Sequence, residues 1–520
     1  MQTIREKSMN LDVLFITPGN AKRIYQDLAE DYSAIETPTW SLLLAESCRS
    51  VGYNVAILDA NAERLTNQEV VERIEKLNPR LICFVVYGQN PNSGTVNMSG
   101  AVTLASDIKS HGVKAPISMI GSHVQSLPYE TLKKEKDIDI IFANEGVYSL
   151  RNLLSKKDLH DLNELSEVRG IGFKRDGEPV LTEPEKIVPQ NRMDIDLPGY
   201  AWDLLPYKDK PLDLYRAPMW HADYIQEKRY PYAALYTSLG CMFKCSFCMI
   251  NILNRDDNDS IGVASNYSRM RFWSPEFIIK EFDKLYEMGV RTLRISDEMF
   301  LLNKKYYIPL CKMLKERGYG EKLNTWAYSR IDTIRKPENL KLVREAGIKW
   351  LALGIESGDK NVRLQVTKGR FEDVDIREVV KMVHDADIEI IANYLFGLPG
   401  DDLKSMEKTF DLSLELCTLA WNAYATMALP GSLMYKEAVG AGHKMPDDYA
   451  GYSFHSYNTQ PLPTEHLSSA EILKFRDEAW LQYHTYEPFL QKVEDKHGKL
   501  ARENIEKMTK VKLKRKILGD

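Results

Sequence analysis

Three cysteines lie within eight consecutive residues of the chain. They are Cys241, Cys245 and Cys248, in the stretch SLGCMFKCSFCMI over residues 238–250. Four cysteines normally hold a cubane iron–sulfur cluster, so three would leave one iron open, much as catalytic zinc sites keep one position open. An open iron can bind a substrate or a cofactor directly. The alternatives are three unrelated core thiols and a zinc site, for which no fourth cysteine or histidine lies nearby at ligand spacing.

The composition of the whole chain is typical of a globular protein. Of its 520 residues, 44% are hydrophobic and 28% are charged, and the formal net charge of -5 favours neither nucleic acid nor a membrane surface. No apolar run reaches the roughly 18 residues of a membrane span, and the N-terminal residues predict a first strand and not a signal peptide. The seven cysteines, an odd number, indicate a reducing cytoplasm and not a disulfide framework.

Short apolar runs alternate with helical patterns over residues 10–155. The first run is LDVLFITP, and PTWSLLLAESCRSVG is the first long helical pattern. The runs are rich in Val and Ile, as strands buried on both faces are. This alternation predicts an α/β domain with a doubly wound, Rossmann-like parallel sheet, whose ligands bind beyond the carboxyl ends of the strands.

Residues 156–230 predict a connector that contains a hairpin. The stretch GIGFKRDGEPVLT has the two-residue turn Asp176-Gly177 between its apolar halves. Proline and aromatic residues then alternate, among them Pro198, Trp202, Pro206, Tyr207, Pro211, Tyr215, Pro218 and Trp220.

A second alternation of strands and helices runs over residues 231–445. It has six strand patterns, which are YAALYTSLG, RTLRISDEMF, KLNTWAYSRI, KWLALGIES, EIIANYLFGLPG and AYATMALPG. Six units predict a partial (β/α)6 version of the TIM barrel, with its active site at the carboxyl ends of the strands. The cysteine cluster follows the first of these strands, and residues 446–520 predict a helical C-terminal region.

The segment CMFKCSFC resembles the C-x-x-x-C-x-aromatic-C signature of the radical S-adenosylmethionine (SAM) superfamily. The resemblance implies that Cys241, Cys245 and Cys248 hold a 4Fe–4S cluster whose open iron binds the amino and carboxylate groups of SAM. It also implies that the reduced cluster splits SAM to a 5'-deoxyadenosyl radical, which abstracts hydrogen from a substrate. Phe247 would pack near the adenine.

Later strand ends carry further motifs similar to those of this superfamily. The motifs are RISDEMF, AYSRID, LGIESG, NYLFGLPGD and LPGSLMY. The resemblance assigns SAM contacts to Asp297, Glu298, Arg330, Glu356, Ser357, Tyr394 and Gly397. Each motif alone is also typical of an ordinary turn or a solvated acidic loop, so the prediction depends on their joint order.

The N-terminal domain resembles the cobalamin-binding domain of one large class of radical SAM enzymes. The similarity runs through NVAILDAN, NPRLICFVVYG, MIGSHVQSLPYETL and ANEG. It implies cobalamin contacts at Gly88, Gln89, Gly121, Ser122, His123, Glu145 and Gly146. Glycines let a backbone approach a large flat cofactor closely. A domain without a ligand and a nucleotide-binding domain are the alternatives, although no G-x-G-x-x-G follows the first strand.

The cobalt-ligating motif Asp-x-His-x-x-Gly of some cobalamin enzymes is missing from this domain. Its two histidines are His111, which precedes Gly112 at the end of a helical pattern, and His123, which lies in a loop. The resemblance therefore implies cobalt without a protein histidine ligand.

These resemblances lead to a first functional hypothesis, with a second kept open. The first is a cobalamin-dependent radical SAM methyltransferase that methylates an unactivated carbon with the 5'-deoxyadenosyl radical and methylcobalamin. The second is a non-methylating enzyme with the same cofactors, such as an oxidative ring cyclase or a rearrangement enzyme. A sensor without radical chemistry is disfavoured by the intact cysteine motif. The substrate would be a small molecule, a lipid or a sugar, and the electron donor a flavodoxin or a ferredoxin-type protein.

Basic residues cluster in the last 14 residues of the chain. They are Lys507, Lys510, Lys512, Lys514, Arg515 and Lys516. Such a run is typical of a solvated helix face, and a docking surface for an anionic partner or a membrane is the alternative. The remaining cysteines, Cys48, Cys83, Cys311 and Cys417, lie in apolar patterns and are predicted to be core thiols.

Overall fold

The computed structural model describes residues 11–88, 91–207, 214–217, 230–367 and 374–520. These residues form two compact units. The N-terminal unit comprises the described residues up to Asn20, Pro38–Pro206 and Asn251–Tyr267. The barrel unit comprises the described residues of Ala21–Thr37, Tyr207–Ile250 and Ser268–Asp520.

The described residues contain fifteen strands. In chain order, β1 to β15 are Val13–Thr17, Val55–Asp59, Leu81–Val85, Ile117–Ile120, Ile140–Phe142, Ile171–Arg175, Glu178–Leu181, Tyr232–Leu235, Ser238–Cys241, Arg269–Phe272, Thr292–Ile295, Asn324–Arg330, Ile348–Glu356, Glu389–Phe396 and Ala420–Ala425.

The same residues contain twenty-one α-helices. In chain order, α1 to α21 are Ala21–Tyr25, Leu28–Asp31, Thr39–Arg49, Asn67–Leu77, Gly94–Ser110, Ser122–Ser126, Pro128–Lys134, Val147–Leu154, Leu162–Ser166, Met193–Asp196, Pro275–Glu287, Lys304–Glu316, Tyr319–Lys322, Pro337–Glu345, Lys360–Thr367, Ile376–Asp385, Leu403–Leu416, Leu433–Gly440, Ser469–His484, Glu487–His497 and Lys499–Met508. No helix among the described residues is both long enough and apolar enough to cross a membrane.

The sheet of the N-terminal unit has seven strands in the order β2-β1-β3-β4-β5-β6-β7. The first five are mutually parallel, and Val13 of β1 pairs with both Val55 and Leu81. The side chains of β3 and β4 are buried, as strands covered on both faces require. The prediction of a doubly wound parallel sheet is confirmed.

The hairpin of β6 and β7 extends this sheet and does not stand apart in a connector. Strand β6 pairs antiparallel with β5, and its residues Ile171 and Phe173 are buried. Asp176 and Gly177 both have positive φ, of 53° and 84°, as the predicted two-residue turn requires. Burial of these side chains explains why the hairpin belongs to the N-terminal unit. Pro211, Pro218 and Trp220 of the predicted connector lie outside the described residues.

The barrel unit contains six parallel strands in the order β15-β14-β13-β12-β11-β8. The predicted partial (β/α)6 barrel is therefore confirmed. Local signals explain the helix boundaries. Ser274 caps α11 by accepting a hydrogen bond from Phe277 N, and Pro275 follows at the first helical position. Gly289, with φ of 90°, ends the same helix.

The first predicted barrel strand is two strands. Only β8 joins the parallel sheet, whereas β9 pairs antiparallel with β10. Thr237 lies between β8 and β9, and Ser238 is the first residue of β9. The Asp297 carboxylate accepts hydrogen bonds from both residues, and the chain leaves the parallel sheet at this point. Gly240, with φ of 83°, then supplies a backbone conformation that other residues rarely adopt.

Two segments lie in one unit although the residues next to them in sequence lie in the other. Residues 21–37 separate β1 from α3 but lie in the barrel unit, where Thr37 Oγ1 donates to Ala234 O at 3.1 Å. Residues 251–267 follow the cysteine motif but lie in the N-terminal unit. There Glu145 N donates to Leu253 O at 3.1 Å, and Gly262 N donates to Ser126 O at 2.8 Å.

The basic C-terminal tail is not a uniformly solvated helix face. Its five lysines are exposed, but Arg515 is only 1% exposed. The Arg515 guanidinium donates to both Asp477 carboxylate oxygens at 2.8 and 2.9 Å and to the Phe454 and Ser456 carbonyls at 3.0 Å. The expectation of a solvated face is wrong at Arg515, because this side chain anchors the tail.

The predicted core thiols follow their apolar patterns with one partial exception. Cys48, Cys83 and Cys311 are buried. Cys417 is half-buried and has φ of 43°, because it forms the left-handed C-terminal cap of α17.

Candidate functional site

The three clustered cysteines lie on one loop beyond the carboxyl end of β8. Cys241 is the last residue of β9 and packs in an apolar cluster with Ile250 and Met299. Phe243 and Cys248 pack against the same cluster. None of the three thiols is in a disulfide. The loop therefore offers three sulfur ligands beside an apolar cluster, with Cys241 buried and Cys245 and Cys248 half-buried.

Backbone and side-chain donors already point at two of the sulfurs. Phe243 N donates to Cys241 Sγ at 3.4 Å, and Arg330 Nη1 lies 3.8 Å from Cys245 Sγ. Burial raises the pKa of Cys241 to about 12 and that of Cys245 to about 11, and it raises the pKa of Cys248 well above the ordinary value. The thiols are thus protonated without metal, and ligation must displace their protons.

The chemistry of the donor set, three thiols on one loop, suits an iron–sulfur cluster. In the part of the chain that the structure describes, no three His, Cys, Asp or Glu side chains are grouped as ligands of one metal ion. A cubane cluster instead takes each thiolate at a different iron, which suits three thiols spread along one loop. Together with the donors to sulfur, this arrangement supports the assignment of Cys241, Cys245 and Cys248 as its ligands.

Asp297 and Glu298 end β11 in different environments. Asp297 is buried and fully used, since its carboxylate accepts from Thr237 N at 2.5 Å and from the Thr237 and Ser238 hydroxyls at 2.6 Å. Glu298 is half-buried, and no described residue forms a hydrogen bond or ion pair with its carboxylate. Burial raises the pKa of Glu298 to about 8, with Arg294 opposing and Asp297 adding to the shift. Of the two, only Glu298 has its carboxylate unengaged.

Arg330, at the end of β12, does meet a carboxylate, and it is one from the chain itself. Its Nε and Nη2 donate to the two Asp332 oxygens, both at 2.6 Å. Its Cζ lies 3.5 Å from the Phe243 ring centroid, and Nη1 faces Cys245. Asp332 and Phe243 were not among the predicted site residues, although AYSRID and CMFKC contain them.

Glu356 occupies a strained position at the end of β13. Its φ is 66°, in the left-handed region, and the pairing of β13 with β14 is irregular between Gly354 and Glu356. Strain of this kind at a non-glycine residue is common at functional sites. Burial raises the pKa of Glu356 to about 7, with Arg330 opposing. The structure describes no hydrogen bond to this half-buried carboxylate either.

The other predicted SAM residues have clear packing roles. Ser357 is buried, and its hydroxyl accepts from Asp359 N at 3.1 Å. Tyr394 is buried beside Trp421, with ring centroids 6.2 Å apart, and its hydroxyl has no partner among the described residues. Gly397 has φ of 78°, and a Cβ there would lie 2.6 Å from Ile472. Phe247 is half-buried in the cysteine loop. Contact of each with SAM stays a prediction.

The predicted cobalamin glycines lie at the strand ends, where protein atoms occupy the space beside them. A Cβ on Gly121 would lie 2.5 Å from Val86 Cγ2 and 2.6 Å from its carbonyl oxygen. Gly88 and Gly146 have φ of 67° and 77°, which other residues rarely adopt. These glycines therefore let neighbouring loops pack closely, a role that the sequence does not distinguish from close approach to a corrin.

The polar candidates of the N-terminal unit are enclosed. His123 is 4% exposed and its Nδ1 lies 3.1 Å from Thr95 Oγ1. Burial lowers the pKa of His123 to about 3, so the ring is neutral. Glu145 Oε1 accepts from Val188 N at 2.5 Å, and Ser122 is fully buried. Gln89 lies outside the described residues. His111 caps the end of α5, as predicted.

Two further polar atoms of this unit match an amide-rich ligand. The Gln125 side chain donates to Tyr87 Oη and to Asn144 O, but Gln125 Oε1 is buried without a partner among the described residues. Thr17 Oγ1, at the last residue of β1, is in the same condition. Unsatisfied buried acceptors are costly, and the corrin periphery is rich in amide donors, so the unit fits cobalamin. Sequence reasoning missed both residues because neither belongs to a motif.

Sequence comparison identifies a known family for each of the two units. The Radical SAM superfamily model matches residues 235–413, which contain the cysteine loop and five of the barrel strand ends. The B12 binding domain model matches residues 26–154. The chain is a cobalamin-dependent radical SAM enzyme.

Two relatives match most of this chain. An uncharacterized methyltransferase of Pyrococcus horikoshii is 25% identical over 462 residues, which cover 88% of this chain and 90% of the relative. The anaerobic magnesium-protoporphyrin IX monomethyl ester cyclase of Cereibacter sphaeroides is 22% identical over 77% of this chain and 59% of its own length.

A solved structure shares the fold. The radical SAM methyltransferase TsrM from Kitasatospora setae, with cobalamin and a 4Fe–4S cluster bound, superimposes with a TM-score of 0.64. The match covers 96% of this chain and 99% of that one at 14% sequence identity. At this identity the likeness concerns the fold. It agrees with the doubly wound sheet and the six-stranded half-barrel described above.

Proposed function

We propose that this radical SAM enzyme is a methyltransferase that methylates an unactivated carbon of a small-molecule substrate. When bound, the reduced cluster cleaves SAM to a 5'-deoxyadenosyl radical, and cobalamin carries a methyl group from a second SAM to the substrate. The observation that carries the proposal is the loop of three cysteines outside disulfides at the barrel strand ends, in a chain that also matches the B12 binding domain model. A similar protein of nearly equal length is named a methyltransferase, which supports the proposal.

In this proposal the cysteine loop holds the cluster against an apolar wall. Cys241 and Cys248 pack with Met299 and Ile250, so the sulfurs lie in an apolar environment. Phe243 N donates a hydrogen bond to Cys241 Sγ, and Arg330 Nη1 faces Cys245 Sγ. Preorganised donors of this kind orient the ligands and tune the metal centre.

Glu298 and Glu356 receive the cationic groups of SAM in this proposal. Both carboxylates are half-buried without hydrogen bonds from described residues. Their pKa values are raised by burial, to about 8 and about 7. A cation that approaches them favours the ionised form, so binding of SAM releases protons at neutral pH. Asp297 instead positions the loop that leads to Cys241.

Aromatic side chains on the inner strands of the half-barrel exclude water from the radical reaction. The rings of Tyr232 and Trp326 are stacked with centroids 5.6 Å apart. Arg294 Cζ lies 4.8 Å from the Tyr328 ring centroid. Exclusion of water protects a reactive intermediate from side reactions.

In this proposal the N-terminal unit binds cobalamin through acceptors at the end of β1 and in α6. Gln125 Oε1 and Thr17 Oγ1 are buried without a partner among the described residues. The His123 ring is neutral and lies beside Thr95. We infer that cobalt has no histidine ligand from the protein, since His123 is enclosed. We place the reaction in the cytoplasm, with a flavodoxin or a ferredoxin-type protein as electron donor, because seven cysteines that form no disulfide suit a reducing compartment.

A non-methylating reaction with the same cofactors is the second candidate. The similar cyclase of Cereibacter sphaeroides favours it, but this chain spans only 59% of that protein. A lipid or a sugar substrate stays open for either reaction, as does peripheral membrane contact through the exposed lysines of the tail.

Product analysis separates the two candidates. The protein would be reconstituted anaerobically with cluster and cobalamin, then incubated with SAM, a reductant and candidate substrates. A methyltransferase forms S-adenosylhomocysteine together with 5'-deoxyadenosine, because it consumes SAM in two ways. Formation of 5'-deoxyadenosine without S-adenosylhomocysteine would overturn the methyltransferase proposal in favour of the second candidate. The Cys245→Ala variant is the control, and it should form no 5'-deoxyadenosine.

A further inference from the structure

One buried guanidinium connects three parts of the cysteine site. Arg330 donates to both oxygens of Asp332 at 2.6 Å, and the two side chains are each 5% exposed. Its third nitrogen, Nη1, lies 3.8 Å from Cys245 Sγ. Its Cζ lies 3.5 Å from the centroid of the Phe243 ring. The cation is therefore held among three neighbours, which are Asp332, Cys245 and Phe243.

The same contacts couple Arg330 to a second cysteine. Phe243, on which the guanidinium stacks, donates its backbone N–H to Cys241 Sγ at 3.4 Å. Asp332 lies in the turn Ile331–Thr333 directly after β12. The end of β12 thus holds a positive charge beside the middle of the cysteine loop. The charge is fixed there by a planar, bidentate pair with Asp332, a geometry for which arginine is suited.

We propose that Arg330 and Asp332 form a positioning pair that sets the reduction potential of the cluster held by the three cysteines. Reduction adds negative charge to the cluster, and a cation beside a ligating sulfur stabilises that charge. In a poorly solvated site the effect of a nearby charge is large. Asp332 limits the effect of the Arg330 cation on the potential, because its negative charge partly cancels the positive charge of Arg330 at longer range. The two residues therefore act on the potential in opposite directions.

This inference rests on the cluster lying at Cys241, Cys245 and Cys248, and it does not depend on which reaction the enzyme performs. The test is a potentiometric titration of the reconstituted full-length protein without SAM, followed by electron paramagnetic resonance of the reduced cluster. Iron and sulfide analysis of each variant shows how much cluster it holds. A wild-type protein without a cluster, or Cys245→Ala with a full one, would contradict the ligand assignment itself.

Opposite shifts are expected from the two single variants. Arg330→Gln removes the cation beside Cys245 and should lower the potential, whereas Asp332→Asn removes the anion paired with that cation and should raise it. We expect at least a tenfold change in the reduced-to-oxidised ratio at fixed potential, which corresponds to about 59 mV for a one-electron couple. The double variant and Arg330→Lys should both lie closer to wild type.

A more solvent-accessible pair in the same unit, with side chains 25% and 66% exposed, provides the matched control. Arg344 and Asp387 form an ion pair at 2.8 Å, and Arg344→Gln and Asp387→Asn make the same charge changes. They should leave the potential unchanged. Shifts of one sign in both Arg330→Gln and Asp332→Asn, or no shift with full iron content, would overturn the proposal. Loss of iron from both variants and from Arg330→Lys would also overturn it, and would limit the pair to holding the loop.

Discussion

Two carboxylates without partners distinguish the site from an ordinary strand end. Glu298 and Glu356 are half-buried and lack hydrogen bonds from described residues, whereas Asp297 beside them is satisfied by Thr237 and Ser238. Burial of an ionised group without a partner costs stability. Such an arrangement is kept where a ligand supplies the missing charge.

The pH dependence of stability should reveal the cost at Glu298. Its pKa is raised from 4.5 to about 8, so the folded state binds more protons than the unfolded state between these values. Wild-type stability therefore falls as the pH rises through this window. The glutamine of Glu298→Gln does not titrate. The melting temperature of this variant should therefore rise relative to that of wild type as the pH increases from about 5 to about 9.

Thermal unfolding of the cofactor-free protein measures this gain. The exposed Glu338, which forms only a 3.6 Å pair with Lys336, provides the control Glu338→Gln, for which a flat difference is expected. A gain for Glu298→Gln that does not change with pH would contradict the account of this carboxylate.

At the residue scale the sequence offers candidate ligands but not the contacts that surround them. The spacing of the cysteines is enough to predict a cluster, because the ligands belong to one short loop. The contact of Arg330 with Asp332 and Phe243 is not predictable in this way, since it joins a strand end to a loop about 85 positions away in sequence. Gly121 shows a second limit, because close packing and close approach to a cofactor require the same residue type.

At the element scale, the packing of Gly121 against Val86 joins the ends of β4 and β3. A Cβ at this position would lie 2.5–2.8 Å from the side chain and carbonyl group of Val86. Gly121→Ala should destabilise the protein by about 1–3 kcal/mol, the usual cost of overpacking, and should weaken cobalamin retention. Thermal unfolding and cobalt content after gel filtration measure the two effects.

Gly440 provides the matched glycine control. It is the last residue of α18, and a Cβ there would meet nothing within 4 Å. Gly440→Ala should be neutral or stabilising by up to about 1 kcal/mol. Equal effects of the two substitutions would contradict the packing role assigned to Gly121.

The segment of residues 21–37 is fixed to the half-barrel by a buried charge pair. Glu36 Oε1 accepts from Arg294 Nη1 at 2.8 Å, with the two side chains 8% and 3% exposed. The Tyr232 hydroxyl donates to the same carboxylate. Glu36→Gln leaves the Arg294 cation buried without its counter-charge, so we expect a loss of about 3–5 kcal/mol in the free energy of unfolding.

Denaturant unfolding of Glu36→Gln tests this expectation. Arg23→Gln breaks a pair of the same segment, with Asp448, in which the arginine side chain is 50% exposed. That control should cost no more than about 1 kcal/mol. A cost for Glu36→Gln as small as that of Arg23→Gln would show that the segment is held by other contacts.

At the scale of the whole molecule, the C-terminal tail closes on the barrel unit through Arg515. The guanidinium binds Asp477 and two carbonyl groups of residues 454–456. Arg515→Gln should release the tail, with a loss of about 3 kcal/mol or more because Asp477 and the carbonyls lose a charged donor. Limited proteolysis of the tail and thermal unfolding provide the measurements.

The neighbouring Lys516 is exposed, so Lys516→Gln is the control for the change in charge. It should leave the cleavage rate and the melting temperature unchanged. If Arg515→Gln behaved like Lys516→Gln, the tail would not be an anchored element, and its basic residues would be available together for an anionic partner.

The alternation of strands and helices predicted both sheets and their parallel order, because it depends on local periodicity and on burial of each strand. The exchange of segments between the units was not predictable. Residues 21–37 and 251–267 have no periodic pattern, and their places depend on contacts such as Thr37 with Ala234 and Glu145 with Leu253. The division of the first barrel strand depends on Asp297, which lies about 60 positions further along the chain.

The measurement that tests the account most directly follows the methyl group of SAM. The reconstituted protein would receive cobalamin, a reductant and SAM with a deuterated methyl group, and the cobalamin fraction would be examined by mass spectrometry with 5'-deoxyadenosine measured in parallel. The account predicts that the label reaches cobalamin and that wild type, but not Cys245→Ala, forms 5'-deoxyadenosine. Bound cobalamin that stays unlabelled while 5'-deoxyadenosine accumulates would contradict the methyltransferase function.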